Sequence, residues 1–248
     1  MLYGGGVRIF LSADTMLRDF KLTENEYGLY CIPKEAEEGI VARKALAGEC
    51  YEKETIERIR SFSKSKSVLH AGSCFGDFLP GICATANFVY AFEPYPVMYR
   101  CSKITKLLNN IGNCSIRNLG LSDGPGIKFF KTKDNSGKFL AGRSRITEDV
   151  FFQEKVCVDA IDNLIPYETN LGVLHLDIEG HEKFALRGGL RTIRKNKPVL
   201  ILEFNKATQS FLDSDWFRDE ILGLGYIESE RYFIHKEVFN CVLKIEGS

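Results

Sequence analysis

Two groups of residues in this chain have the types and spacing to do chemistry. Val68-Leu69-His70-Ala71-Gly72-Ser73-Cys74-Phe75-Gly76 reads as an apolar strand entering a tight glycine turn and a helix. Seventeen residues past Gly76, the strand Tyr90-Ala91-Phe92 ends in Glu93 and Pro94. An acidic residue at the carboxyl end of a second strand faces the crevice where ligands of α/β sheets sit, and it accepts hydrogen bonds from ribose hydroxyls. Such charge-assisted bonds contribute about 1.5–3 kcal/mol each. The plainer role for Glu93 is to cap the helix that begins at Tyr95. Gly72 and Gly76 stand four apart, which is not the dinucleotide fingerprint; that pattern needs glycines where Cys74 and Asp77 stand. A nucleoside cofactor without phosphate needs only one close backbone approach, near Gly72; the alternative is a structural strand–turn–helix that binds no ligand.

The second group is Asp177-Ile178-Glu179-Gly180-His181-Glu182, at the carboxyl end of an apolar strand and just before a helix. The helix dipole favours carboxylates there, so capping accounts for part of the cluster. Its density exceeds what one cap needs, and Asp177, Glu179 and His181 are the candidate proton acceptors. Glu203 and Asn205 end the next strand, alongside Asp177. Their oxygens would suit a hard divalent cation, but a solvated acidic rim explains the same residues, and no metal is expected.

A basic loop from Lys128 to Arg145 lies near the crevice, either gating an anionic acceptor or simply solvated. Lys183, Arg187, Arg191 and Arg194 share the solvent side of one helix. Tyr99 and Lys103 match the tyrosine–lysine spacing of a short-chain oxidoreductase, but they come too early in the chain for that fold.

The elements that position these groups follow from periodicity. Helices are expected over 77–86, 95–110, 182–197 and 216–224, and strands over 88–92, 115–121, 126–131, 156–158, 173–178 and 198–204. Residues 132–154 read as an irregular loop. A closing antiparallel hairpin is expected from Tyr226–Phe233 and Val238–Ile245. Alternating strands and helices predict an α/β fold: a Rossmann-like, seven-stranded, mostly parallel sheet with helices on both faces. Residues 1–60 are expected to form a small cap, with a hairpin (Val7–Leu11 and Tyr27–Ile32) and a helix (Lys53–Phe62), on a domain spanning 61–248.

Composition narrows the classes. The 248 residues carry 33 basic and 33 acidic side chains, so no global charge drives the chain onto nucleic acid or an anionic membrane. The eight cysteines show no zinc spacing and read as reduced. No apolar run reaches the ~20 residues of a membrane span, and the N-terminus has no secretory pattern. The expectation is a cytoplasmic protein; oligomeric state is not legible.

Together, Gly72-x-x-x-Gly76, Ala91-Phe92-Glu93-Pro94, Asn118-Leu119-Gly120-Leu121-Ser122-Asp123, Val158-Asp159-Ala160-Ile161-Asp162, Leu176-Asp177-Ile178-Glu179-Gly180-His181-Glu182 and Ile201-Leu202-Glu203 resemble the FkbM-type class I methyltransferases in residue type, order and spacing. The resemblance implies S-adenosylmethionine as cofactor and O-methylation of a hydroxyl on a small acceptor, often a sugar or natural-product scaffold. It implies that Gly72, Ser73, Cys74, Phe75 and Gly76 line the methionine end of the cofactor. Glu93 and Pro94 would lie at the ribose, Leu119 at the adenine, and Asp177 and Glu179 beside the transfer site. Two positions depart from the family: His70 stands where an aspartate is usual, and Cys74 where an asparagine is usual. His70 is either a ligand group or a core histidine satisfied by backbone. These departures leave a catalytically impaired binding protein as the rival reading, with a nicotinamide-dependent oxidoreductase behind it.

Overall fold

The computed structural model describes residues 19–147, 153–203, 206–229 and 232–236. The chain opens with an antiparallel hairpin, β1 (Phe20–Asn25) and β2 (Gly28–Pro33), followed by helices Ile40–Leu46 and Lys53–Phe62. The strand expected at 27–32 therefore pairs with 20–25; Val7–Leu11 lies outside the described residues.

The main sheet has seven strands. Its parallel part runs through β3 (Ser67–Ala71), β4 (Val89–Phe92), β5 (Cys114–Arg117), β10 (Leu171–Leu176) and β11 (Val199–Leu202). It ends in the antiparallel pair β12 (Tyr226–Ser229) and β13 (Tyr232–His235), giving the order β12-β13-β11-β10-β3-β4-β5. Both strands of this pair fall within what sequence periodicity marks as one strand, 226–233, and its neighbourhood. The second expected strand, 238–245, lies outside the described residues.

Period-two alternation sorts the central strands onto two helical layers. Leu69 and Ala71 pack with Leu186 and Ile193 on one face, while Val68 packs with Ile56, Ile59, Leu79 and Ile82 on the other. A third cluster joins Tyr30 and Ile32 of the opening hairpin to Met98 and Cys101 of helix Pro96–Leu108.

A second sheet of four strands was not legible as such. It contains β6 (Gly120–Ser122), β7 (Gly126–Lys131), β8 (Arg145–Thr147) and β9 (Gln153–Ala160), in the order β6-β9-β7-β8. The single strand expected over 115–121 divides into β5 and β6, which belong to different sheets. The division falls at Asn118, whose amide donates to the carbonyls of Glu93 (2.9 Å) and Pro94 (2.8 Å). The expected irregular loop at 132–154 includes β8, and the expected remnant at 156–158 is part of the eight-residue β9.

The helix expected over 182–197 is two, Glu182–Arg187 and Leu190–Asn196. The break falls at Gly188-Gly189 because the backbone there runs against β6. A Cβ on Gly188 would lie 2.1 Å from the Ser122 carbonyl oxygen. The helix expected over 77–86 shrinks to Leu79–Cys83.

Candidate active site

A cavity of about 620 Å³ opens where the chain order reverses, at the carboxyl ends of β3, β4 and β10. β3 leads to β4 and β5 on one side, while β10 and β11 lie on the other, and open α/β sheets present their ligand crevice at such a point. Gly72, Cys74, Glu93, Pro94 and Leu119 form one wall, and Asp177, Glu179, His181 and Glu203 another. Tyr51 and Glu52 also line the cavity, as does the basic loop through Lys138 and Arg143.

The glycine turn is held by specific bonds. The N–H groups of Gly72 and Ser73 both donate to the Phe92 carbonyl, each at 3.1 Å, stitching the end of β3 to β4. Gly72 has φ +83°, and a Cβ there would lie 1.9 Å from the Asp177 carbonyl oxygen. Phe75 and Gly76 are not among the cavity walls. Phe75 is buried against Tyr30, with ring centroids 6.4 Å apart, and its carbonyl accepts from Thr105 Oγ1 at 2.8 Å. Gly76 (φ +86°) lets the turn pass the helix at Ser102 and Thr105. Ser73 is fully buried.

Glu93 sits at the floor of the cavity, only 6% exposed. Its Oε2 accepts from the Cys74 N–H and its Oε1 from the Tyr95 N–H, both at 2.8 Å. The carboxylate thus ties the glycine turn to the start of the 96–108 helix, so the capping role is partly realised. Each oxygen keeps a second lone pair for another donor. Burial pushes the Glu93 carboxyl up to about 8, against the pull of the two N–H groups. Cys74, held at φ +48°, packs its sulfur 3.9 Å from Met98 Sδ. Asparagine tolerates that left-handed conformation better than cysteine, which is the physical content of the second departure noted above.

Opposite lies the acidic group. Asp177, Glu179 and Glu203 each present a carboxylate oxygen, and the three lie within 4.8 Å of one another. Asn205, the other oxygen donor considered for a metal, lies outside the described residues. Glu179 is held at φ +54° with its N–H donating to Glu203 (3.1 Å). Glu182 turns away from the cavity, accepting from the Ile178 N–H (3.0 Å) and from Thr208 Oγ1 (3.3 Å). His181 lines the wall with Nε2 3.1 Å from Ser122 Oγ. Tyr99 and Lys103 lie on the 96–108 helix and are not wall residues; the lysine ammonium sits 5.6 Å from the tyrosine ring centre.

The acids and histidines give stability a definite pH dependence. Burial and the nearby Glu203 carboxylate raise Glu179 to about 7, and burial raises Asp77 to about 7. Burial, with Glu203 beside it, raises Asp177 well above the usual range. Burial lowers His175 and His181 to about 4. In the unfolded chain these groups titrate near ~4 and ~6.5. A carboxyl with a raised folded pKa costs stability as pH rises from about 4 through its folded value, whereas a histidine with a lowered one costs stability as pH falls below about 6.5. Above pH ~6.5 only the carboxyls act. The thermal midpoint of the ligand-free protein is expected to drop between pH ~6.5 and ~8.5, by about 2–4 °C per kcal/mol. Glu179→Gln should shrink that drop. A midpoint that climbs over this interval in calorimetry contradicts the assignment.

Residues that sequence reasoning did not single out are His175, Asp77 and Glu52. His175 carried a usable signal, being the polar residue within Val173-Leu174-His175-Leu176.

A family model, the methyltransferase FkbM domain, matches residues 70–228, well over half of the chain. The chain belongs to the FkbM methyltransferase family. Its fold is similar to the crystal structure of methyltransferase FkbM from Methylobacillus flagellatus KT, at 18% identity and a TM-score of 0.50. That match covers 68% of this chain and 43% of the other, so this FkbM domain spans less than half the length of that relative. A precorrin 8w decarboxylase from Methanobacterium thermoautotrophicum matches at 15% identity and a TM-score of 0.43, covering 71% and 73% of the two chains. A Pyrococcus abyssi tRNA (uracil-54, C5)-methyltransferase in complex with S-adenosyl-L-homocysteine matches at 11% identity and a TM-score of 0.42, over 74% and 34%. No curated protein sequence matches. Among the described residues of this FkbM domain, no helix is long and apolar enough to cross a membrane.

Proposed function

We propose that this FkbM domain transfers a methyl group from S-adenosylmethionine to a hydroxyl of a small acceptor, such as a sugar or natural-product scaffold. The observation that carries the reading is Glu93. It is a buried carboxylate with free acceptor capacity, at the floor of a cavity beside a close-packed glycine turn. Cavity size also fits, since sites for ligands of this class run to roughly 300–1,000 Å³. So does charge: Asp77, Glu93 and Asp177 line the inner wall and favour a positively charged cofactor.

S-adenosylmethionine supplies an electrophilic methyl on a sulfonium. The chain's part is alignment and proton management. Glu93 binds the ribose diol, with its orientation set by the Cys74 and Tyr95 N–H groups. Leu119 and Pro94 supply the apolar surface for the base. Gly72 and Cys74 hold the amino-acid end. Asp177, in the ionised form that the cofactor's positive charge favours, takes the proton of the acceptor hydroxyl; burial and the Glu203 charge make that form more basic than an exposed carboxylate. Glu179 and His181 border the acceptor. Lys138 and Arg143, which also line the cavity, suit an acceptor that carries an anionic group.

Titration with S-adenosylhomocysteine in a calorimeter, followed by label transfer from S-adenosylmethionine to a panel of hydroxylated acceptors, tests the reading. Asp177→Asn is expected to lower turnover by about 10²–10⁴-fold, well beyond any loss of cofactor affinity. Undiminished turnover would remove Asp177 from the mechanism. Binding of NADH in place of S-adenosylhomocysteine would overturn the whole reading.

A further inference from the structure

The wall of the cavity contains a buried imidazole with an unused nitrogen. His70 is 1% exposed and His175 3%, on neighbouring parallel strands in direct register. Their Nδ1 atoms stand 2.7 Å apart. The ring centroids are 4.9 Å apart and the planes differ by 10°, so the rings meet edge to edge as a linear N–H···N bond requires. The Phe78 ring lies parallel to both, at 5.1 and 5.4 Å. One proton must sit between the two Nδ1 atoms, so the pair has a fixed tautomer relationship. His70 Nε2 has no hydrogen-bond partner, and His70 is itself a cavity wall residue beside Gly72 and Asp177.

A buried nitrogen without a partner has given up its solvation for nothing, so it calls for a ligand. Burial disfavours the charged form of both rings, leaving Nε2 of one ring as a bare acceptor. The acids around the cavity, Asp77 and Asp177 among them, select a cationic group rather than an anionic one. A cation bearing N–H donors would find a lone pair at His70.

We propose that His70, with its Nδ1–H donated to His175, presents a bare Nε2 that accepts a hydrogen bond from the α-ammonium of the cofactor's amino-acid moiety, and that His175 is the positioning residue fixing this tautomer. The inference rests on the cofactor reading above. It assigns the recognition of the amino-acid end to a neutral histidine pair.

The test compares two ligands on the full chain by calorimetry: S-adenosylhomocysteine, and 5′-methylthioadenosine, which keeps the nucleoside but lacks the amino-acid group. The expected result is that His70→Leu weakens S-adenosylhomocysteine by about 10- to 100-fold and methylthioadenosine little. His175→Leu should shift the same ratio, and His70→Asp should preserve the preference. Equal losses for both ligands, or none, in His70→Leu overturn the proposal while leaving the cofactor reading intact. Failure of the wild-type protein to bind either ligand overturns both. Should the leucine variants not fold, ¹⁵N imidazole spectra of the wild-type protein decide the matter. The His70 Nε2 resonance should be of the unprotonated type and move with S-adenosylhomocysteine but not with methylthioadenosine; any other pattern overturns the assignment.

Discussion

Gly72→Ala is expected to abolish the native fold, or to lower its stability by more than ~4 kcal/mol, beyond the range of ordinary single substitutions. Two independent terms act at this position. The backbone has φ +83°, where an L side chain is strained by roughly 1–2 kcal/mol. The added Cβ would also stand 1.9 Å from the Asp177 carbonyl oxygen, an overlap between two backbones that no rotamer can relieve. Asp177 is tied to that spot by its own N–H, which donates to the Ala71 carbonyl at 3.2 Å. Relief would therefore require β3 and β10 to separate at the cavity floor. Gly112→Ala is the control, because a Cβ there meets nothing within 4 Å; its change should stay within about 0.5 kcal/mol. Urea denaturation curves read both. A Gly72→Ala midpoint equal to the wild-type one would mean that the close approach of the two strand ends is not real.

Glu93→Gln should fold and yet lose cofactor affinity by at least ~10²-fold. The glutamine amide keeps one acceptor oxygen for the Cys74 or Tyr95 N–H, but its NH₂ turns a donor toward the other. It also removes the charge from two bonds to the ribose diol, each worth about 1.5–3 kcal/mol. Glu93→Ala would do more damage to the apoprotein, since it strands both N–H groups inside the wall. The glutamine variant is thus the cleaner probe. It should weaken S-adenosylhomocysteine and methylthioadenosine alike, because both carry the ribose, whereas the His70 variants should discriminate between them. Wild-type affinity in Glu93→Gln, measured by calorimetry, would refute the role given to this carboxylate.

These two residues were visible in the sequence because both are local signals. A glycine after an apolar strand, and an acid directly after the next one, need only their immediate neighbours to be read. That the central strands are parallel and that an antiparallel pair closes the sheet was legible for a similar reason, though the strands of that pair were not placed correctly. Alternating periodicities identify strands and helices, and the right-handed crossover rule then limits how they connect. The same reasoning failed where a local pattern was continuous but the packing was not. Residues 115–121 read as one strand, yet Asn118 turns the chain into a second sheet. Residues 182–197 read as one helix, yet Gly188 breaks it because β6 lies in the way.

What the chain's order of residues determined by itself is the α/β framework, the glycine turn, Glu93 and the acidic group after β10. Each is set by short-range preferences of neighbouring residues. Tertiary structure alone decided which of those residues face one another. His70 and His175 are 105 positions apart, and nothing in either segment announces that their rings will share a proton. Glu203 and Glu179 meet only because β10 and β11 are paired in register. The basic loop reaches the cavity through the pairing of β7, β8 and β9. Contacts of this kind depend on which distant segments become neighbours and how closely their backbones approach, and the periodicity of one segment names no partner.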